Sequence, residues 1–331
     1  MSHEIEGNNM FSVRQIPWHE LGVVLPEAPT SAEAIKAAGM DWTVESKELF
    51  WRMKDQNLGV DVLEPVGNRV ALVRNTDQKY LATVSKQYTP LQNSEAFNFF
   101  DPLIAAGTAK YETAGVLCEG RKVWILAKLD KDMDVGGDEV RSYLLLCNGH
   151  DGQTGVLVQP TPIRVVCNNT LTASLGLGKI HTFAHRPGVQ MKLEEVKEAL
   201  DLVIARLDNM NEIFQQMAKF PMTPEALNNY MNALFELEAP VDIPEEEKIT
   251  DGEVIDRAEQ IKLASKEKML ELHESGLGVT AATRGTMWGA YNAAVEFADY
   301  FMGKRSKDRG NYMLLGEGAR FKSRAFALAT K

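Results

Sequence analysis

The sequence has few cysteines and no long apolar run. Its three cysteines, Cys118, Cys147 and Cys167, lie far apart and form no CxxC pair, which excludes a disulfide framework and a structural zinc site of the usual spacing. No window carries an uninterrupted apolar stretch long enough to span a bilayer or to act as a secretory signal. We therefore expect buried thiols, no membrane partner and a location in the cytoplasm.

Standard catalytic motifs are absent as well. The chain has no Walker loop, no GxSxG, no HExxH, and no GxGxxG that opens a helix after a strand. This absence favours a protein without catalytic chemistry and without a cofactor, although it does not exclude an enzyme. The 331 residues are 44% hydrophobic and 25% charged, the composition of a folded globular protein, so disorder of the whole chain is excluded.

The net charge of −10 argues against a polyanionic partner unless the basic residues are segregated along the chain. Residues 236–260 contain ten acidic side chains against two basic ones. By contrast, residues 153–193 contain no acidic side chain, and the tail 303–331 has eight basic side chains against two acidic ones. The net charge of the whole chain therefore masks two basic segments and one acidic connection.

The pattern of apolar residues predicts an α+β protein with an antiparallel sheet and packed helices in its N-terminal part, followed by a mainly helical C-terminal region. Alternating apolar residues predict strands at 69–74, 80–85, 111–118, 123–129, 141–147 and 155–159, the first two as a hairpin. Earlier in the chain, Trp42, Val44, Leu49 and Trp51 also suggest strands. Apolar residues at helical spacing predict helices at 31–38, 94–106, 193–217, 224–235, 252–275 and 280–302. We expect an α+β domain over residues 1–190 and a helical region over 191–331, which includes the acidic connection 236–260 and the basic tail 303–331.

Histidines and an aspartate offer two places for chemistry. His181 and His185 are four residues apart, which puts both on one side of a helix or a strand, but no acidic residue lies nearby to complete a metal site. We therefore favour surface or phosphate-contacting imidazoles and expect no metal. Residues 148–152 place His150 and Asp151 between glycines, a pattern that is more typical of a hairpin turn than of an exposed general base.

Residues 162–171 are the most informative stretch, because Arg164 and two asparagines interrupt a run of Val, Ile and Leu. In one interpretation Arg164 pairs with a buried carboxylate and Asn168 caps the next helix, which are structural roles. In the other, Arg164, Asn168 and Thr170 lie on a polar rim that contacts a phosphate or a base. Both interpretations stay open, while the valines before Cys167 predict a buried thiol rather than a nucleophile.

Four blocks of sequence follow one another in the order of a known family. They are PWHELG at 17–22, YTPLQN at 88–93, RVVCNNTL at 164–171 and TMWGAYNAAVEF at 286–297. The sequence thereby resembles the phage/plasmid-like proteins, a family defined by a domain of unknown function, and the blocks span nearly the whole chain. The resemblance implies a gene carried by phages, prophages and conjugative plasmids, hence a bacterial cytoplasm during replication of a mobile element. It implies no reaction.

Our first hypothesis is a protein of mobile-element DNA metabolism that binds or anneals single-stranded DNA along a basic track without catalytic chemistry. Such a protein would resemble, in architecture only, the single-strand annealing proteins of the recombination-mediator type, which pack a curved antiparallel sheet on a helix and assemble into rings or filaments. Lysine and arginine would neutralise phosphates while aromatic faces take bases. The residues predicted to contact nucleic acid are Arg121, Lys122, Arg164, Asn168, Lys179, His181 and Arg186.

Two other hypotheses stay open. One is a non-catalytic regulator that binds a host or phage protein through the acidic connection and the long helix faces. The other is an enzyme on a small molecule or nucleotide, which requires a deep pocket lined by His150 and Asp151 or by His181 and His185. Amphipathic helices that one chain leaves uncovered also predict a homo-oligomer.

Overall fold

A computed structural model describes residues 5–14, 21–54, 59–164, 181–190, 195, 200–237, 257–303, 312 and 316–331. They form two β-sheets and a set of helices that dominates after residue 200, which confirms the α+β class. The strands are β1 (Ile5–Val13), β2 (Val23–Leu25), β3 (Val44–Lys54), β4 (Asp61–Arg74), β5 (Tyr80–Ser85), β6 (Ala109–Leu117), β7 (Lys122–Leu129), β8 (Met133–Val135), β9 (Asp138–Gly149), β10 (Val156–Arg164) and β11 (His181–Phe183). The helices are α1 (Ser31–Ala37), α2 (Asn93–Asn98), α3 (Asp101–Ala105), α4 (Leu200–Lys219), α5 (Pro224–Phe235), α6 (Arg257–Ser275), α7 (Met287–Tyr300) and α8 (Glu317–Ala329).

The larger sheet has the strand order β11-β10-β9-β7-β6-β1-β2, and the short strand β8 pairs with β9. Its neighbours are antiparallel except for β1 and β2, which run parallel. The central strands are rich in Val, Leu and Ile and bury residues such as Ile125, Leu144 and Leu146 completely. The central strands of the sheet therefore contribute to the hydrophobic core.

The smaller sheet has the order β3-β4-β5 and contains the predicted hairpin. Strand β5 pairs only with residues 69–73 of β4, although β4 already begins at Asp61. Beyond that point β3 and β4 pair only with each other. We call this two-stranded projection, residues 49–54 and 61–68, the hairpin arm.

The predicted helix over 94–106 is wrong in one respect, because the structure has two short helices there, α2 and α3. Pro102 lies in the first turn of α3. A proline has no N–H to donate, and its ring collides with the carbonyl four residues earlier, so a helix that continued from α2 would break at this point.

The predicted helix over 224–235 is confirmed by α5. The helix predicted from residue 280 begins later, at Met287, because Thr286 has extended backbone angles and its hydroxyl accepts the N–H of Gly289 at 3.1 Å. The helix predicted over 193–217 corresponds to α4, which ends at Lys219. Among the helices that the structure describes, none is long and apolar enough to cross a membrane.

The helices pack onto the larger sheet through a shared core. Trp288 of α7 is buried and donates its indole N–H to Asp138 of β9 at 2.7 Å. The same ring lies against Phe214 of α4, with ring centroids 4.7 Å apart. The aromatic side chains of the C-terminal helices thus cover the sheet, while the proposed division near residue 190 stays a prediction.

Candidate ligand cleft at one end of the larger sheet

The strand register brings several predicted site residues to one end of the larger sheet. Lys122, the first residue of β7, pairs with Gly149, the last residue of β9. Val156, the first residue of β10, pairs with Phe183, the last residue of β11. The residues next to these positions therefore gather at the same end, namely Arg121, His150, Asp151, His185 and Arg186.

A cleft of about 260 Å³ opens at this end of the sheet. The segment after β5, the loop between β9 and β10, and the turn after β11 contribute its walls, which include Gln87, Tyr88, Gln153, Thr154, His185 and Arg186. Arg186 is the one formally charged residue among the lining residues, and none of them is a carboxylate. This lining favours a ligand that carries negative charge or many hydrogen-bond acceptors.

Tyr88 and His185 form one wall of the cleft. Their rings stack with centroids 4.7 Å apart, and the Tyr88 hydroxyl donates to the carbonyl of Gly149 at 2.8 Å. His185 is only 6% exposed, and among the described residues neither of its ring nitrogens has a hydrogen-bond partner at the usual distance and angle. Burial holds the pKa of His185 below its ordinary value, although the backbone at Thr89 and Thr154 acts in the opposite direction. A neutral imidazole at this wall offers one donor and one acceptor to a ligand.

The loop between β9 and β10 is a turn organised by Asp151. This carboxylate accepts the backbone N–H groups of Gln153 at 2.9 Å and Thr154 at 2.7 Å, and the Thr154 hydroxyl at 2.8 Å. Burial alone would raise the pKa of Asp151, but these hydrogen bonds and the nearby Lys122 hold it below its usual range. Gly152 has a positive φ of 72°, and a Cβ there would lie 2.8 Å from a methyl group of Val84, so the turn needs a glycine. Asp151 therefore builds the loop, as the turn interpretation predicts.

His150 lies behind the cleft in the core. It is fully buried, its backbone N–H donates to the carbonyl of Arg121 at 2.7 Å, and its Nε2 lies 3.2 Å from Oδ1 of Asn93. The ring contacts Trp42 edge-on at a centroid distance of 5.5 Å. Burial lowers the pKa of His150 to about 3. The hypothesis of His150 as an exposed base does not fit this position.

The three predicted cations at this end differ in availability. Arg121 and Arg186 are exposed, and Arg121 uses its Nε to donate to the carbonyl of Cys118 at 3.0 Å. Lys122 is half-buried, with its Nζ 3.7 Å from a carboxylate oxygen of Asp151. The two guanidinium groups therefore provide more uncompensated positive charge to a ligand than the lysine does.

The other predicted contacts lie elsewhere. Arg164 is the last residue of β10 and pairs with Val140, eight residues away from the cleft end of that strand. At about 3.3 Å per residue, this places it about 26 Å from Val156, at the opposite end of the sheet. His181 is the first residue of β11, which is the edge strand in the described order, and it pairs with Val158, two residues from the cleft end of β10. Asn168, Lys179, Cys167 and Thr170 lie outside the described residues, as does Trp18.

The basic tail contributes to the fold where the structure describes it. Lys322 of α8 is fully buried, and its Nζ lies 2.8 Å from a carboxylate oxygen of Asp299 in α7. Arg324 forms an ion pair with Glu236 and lies over the ring of Phe321. The tail is therefore not a uniformly solvated basic segment, because these two cations hold α8 in place.

Sequence reasoning missed Tyr88, Gln153 and Thr154 as cleft residues. Tyr88 opens the block YTPLQN, and the glycines at 152 and 155 flank the other two, so both signals are present in the sequence. Neither signal shows that the two segments meet. Among the residues that the structure describes, no group of three or more His, Cys, Asp or Glu side chains is arranged to hold a metal ion.

Fold and cleft together define an α+β protein with a polar cleft at one end of its larger sheet. Residues 80–315 match the family described as Domain of unknown function (DUF932). The chain belongs to this family, which agrees with the resemblance to a family of unknown function. Comparison with curated proteins and with solved structures gives no match.

Proposed function

We propose that this protein binds single-stranded DNA at the cleft end of the larger sheet, in the bacterial cytoplasm and during the replication or recombination of a phage or plasmid. One observation supports the proposal above others: Arg121, Lys122 and Arg186 lie at the same end of the sheet, and Arg186 lines a cleft whose described lining residues include no carboxylate. A strand of nucleic acid gains most of its affinity for a protein from phosphates that Lys and Arg neutralise.

The arrangement suits a short stretch of one strand. Exposed guanidinium groups bind phosphates through two parallel hydrogen bonds, so Arg121 and Arg186 are the stronger contacts. Lys122 contributes less because Asp151 lies within 3.7 Å. Hydroxyl and amide groups of Thr154 and Gln153 line the cleft and suit the sugar or base edges. Arg164 has no part in this contact, since it ends β10 at the far side of the sheet.

Fluorescence anisotropy with a labelled oligothymidylate, measured over a series of salt concentrations, tests the proposal. We expect binding that weakens with salt, with a logarithmic slope of about 0.7 for each phosphate contact. Arg121→Gln and Arg186→Gln should each weaken binding several-fold and reduce the slope by about that amount, whereas Lys122→Gln should have a smaller effect.

Lys128→Gln is the matched control, because it removes the same charge at the opposite end of β7, where Lys128 already pairs with Asp132 at 3.0 Å. This variant should bind like the wild type. No binding of the oligonucleotide at low salt would overturn the proposal, and so would equal loss of affinity in Lys128→Gln and Arg186→Gln.

One observation favours a second candidate, a pocket for a nucleotide or another small phosphorylated molecule. His185 is buried at the cleft wall, and among the described residues the backbone at Thr89 and Thr154 acts on its ring without a hydrogen bond of usual geometry. A small enclosed ligand satisfies such a ring better than a mobile strand does. Calorimetric titration with thymidine monophosphate separates the two candidates. Tight binding of the mononucleotide, together with weak binding of the oligonucleotide, would favour the pocket over the strand.

A further inference from the structure

The hairpin arm carries large apolar side chains that the described part of the chain leaves exposed. Phe50 and Trp51 of β3 are 50% and 54% exposed, and Leu63 of β4 is 65% exposed. An isolated pair of strands is marginally stable in water, and exposed apolar surface of this kind marks an interaction site. The arm therefore needs a partner.

The two edges of the arm differ in their capacity to pair. On β4, Pro65 lies opposite Phe50, and a proline is typical of a strand edge that is protected from further pairing because it has no N–H. On β3, the structure shows how the outer edge is used: Gln92 accepts the Val44 N–H at 2.8 Å and donates to the Val44 carbonyl at 3.0 Å. The pairing between β3 and β4 shifts between Glu48 and Phe50, where β4 places residues 66–69 opposite Leu49 alone, but β3 itself is one strand from Val44 to Lys54. Phe50 lies opposite Pro65, which has no N–H to donate to it, so the amide groups of the even-numbered residues after Val44 point to the same outer edge on both sides of the shift.

The sequence of β3 is complementary to itself when read in the antiparallel direction around Trp51. In that register Glu48 lies opposite Lys54, and Phe50 lies opposite Arg52. The first pair joins opposite charges and the second places a guanidinium beside an aromatic ring, and both stabilise neighbouring strands. In this register each even-numbered residue of one copy lies opposite an even-numbered residue of the other. The outward amide groups of the two copies can therefore hydrogen-bond to each other.

The other face of β3 is complementary in the same register. Leu49 lies opposite Met53, and Trp51 lies opposite its own copy. These odd-numbered residues form pairs without mutual hydrogen bonds, in which side chains approach most closely. The register therefore joins an apolar stripe to an apolar stripe and a charged face to its complement. Such self-complementarity about one point is what a two-fold axis requires.

We infer that two copies of this chain associate through the outer edges of β3, antiparallel and centred on Trp51, so that their smaller sheets form one continuous six-stranded sheet. This interface is separate from the cleft and does not depend on DNA binding.

Sedimentation velocity of the full chain over a concentration series tests the association. We expect a species with twice the 36.8 kDa of one chain. Glu48→Lys places two lysines opposite each other and Lys54→Glu places two glutamates opposite each other, each twice per dimer, so each variant should weaken association by about tenfold. The double variant Glu48→Lys/Lys54→Glu restores opposite charges and should associate like the wild type.

A disulfide test reports the register directly. In a pair without mutual hydrogen bonds the two Cα atoms of residue 51 would be about 4.5 Å apart, within the range that a disulfide spans. Trp51→Cys should therefore form a covalent dimer under mild oxidation. Leu63→Cys, equally exposed on β4, should not, because three strand spacings of about 4.8 Å separate it from its copy.

Three outcomes would overturn the inference: a monomer at every concentration, failure of the double charge variant to restore association, or covalent dimers of Leu63→Cys that match those of Trp51→Cys. If wild type and Trp51→Cys are both monomers and only the variant loses oligonucleotide binding, the arm is a nucleic-acid contact and the inference is likewise overturned. Far-UV circular dichroism confirms that each variant is folded.

Discussion

Burial of an ionisable side chain in the core of this protein shifts its pKa, and the shift makes the stability of the fold depend on pH. His150 is fully buried against Trp42 and Asn93, and its pKa falls to about 3 from an ordinary value of 6.5. The folded chain therefore keeps this imidazole neutral under conditions in which the unfolded chain protonates it. The stability that results is fully present above pH 6.5 and is lost as the pH falls toward 3.

We expect the free energy of unfolding to fall by about 1.4 kcal/mol for each pH unit below 6, where the unfolded chain binds one more proton than the folded chain at this residue. Urea denaturation between pH 6.5 and 5 measures this dependence above the range in which carboxylates titrate. His150→Gln should be less stable at pH 7 by about 2 kcal/mol, since Asn93 loses its partner, but should show a shallower slope. An unchanged slope in His150→Gln would contradict the assignment.

At the scale of elements, local chemistry determines where helices end, and close backbone contacts determine which residues they tolerate. In α7, the N–H of Gly289 donates to the Thr286 hydroxyl that caps the helix. A Cβ at residue 289 would lie 1.9 Å from the carbonyl oxygen of Thr283, a backbone atom in the turn before the helix. The approach of that turn to α7 therefore depends on a glycine.

We expect Gly289→Ala to destabilise the protein by about 3 kcal/mol or more, because the turn must move away from the helix. Gly67→Ala is the control, since its Cβ would meet no atom within 4 Å, and it should change the free energy of unfolding by less than about 0.5 kcal/mol. Chemical denaturation compares the two variants. Equal free energies of unfolding for the two variants would show that the turn moves at little cost and would contradict this prediction.

The elements that periodicity predicts well are those with one buried face. Helix α5 and the hairpin of β4 and β5 are examples, because a half-buried element repeats its apolar residues with its own period. In the hairpin arm, Leu49 and Trp51 indicate strand β3, but residues 61–68 of β4 are not predicted because most of their side chains are exposed and no alternation marks them. The cleft escaped prediction for another reason: Tyr88 and His185 lie far apart in the chain, and only the register of β9, β10 and β11 brings their segments together.

At the scale of the whole molecule, sheet and helices share one hydrophobic core. It includes Phe11 of β1, Ile125 of β7 and Leu146 of β9 together with Trp288 of α7 and Phe326 of α8. The hydrogen bond from Trp288 to Asp138 crosses between the two parts at 2.7 Å. A core that includes side chains from both parts couples their unfolding.

We therefore expect one cooperative transition in guanidinium chloride, with the same midpoint by far-UV circular dichroism and by tryptophan fluorescence. Both Trp42 in the N-terminal part and Trp288 in the helical part are buried, so fluorescence reports on both. Two separated transitions would contradict this expectation and support independent units that meet near residue 190.

The family match begins at Tyr80, the first residue of β5, and leaves β1 to β4 outside it. Yet among the described strands β4 is the only neighbour of β5, and β1 lies between β6 and β2 in the larger sheet. A fragment restricted to the residues of the family match would therefore lose strands from both sheets. The strands that remain would have unpaired edges, which favour aggregation. The first residue of the family match is therefore not a position at which the chain can be truncated without loss of structure.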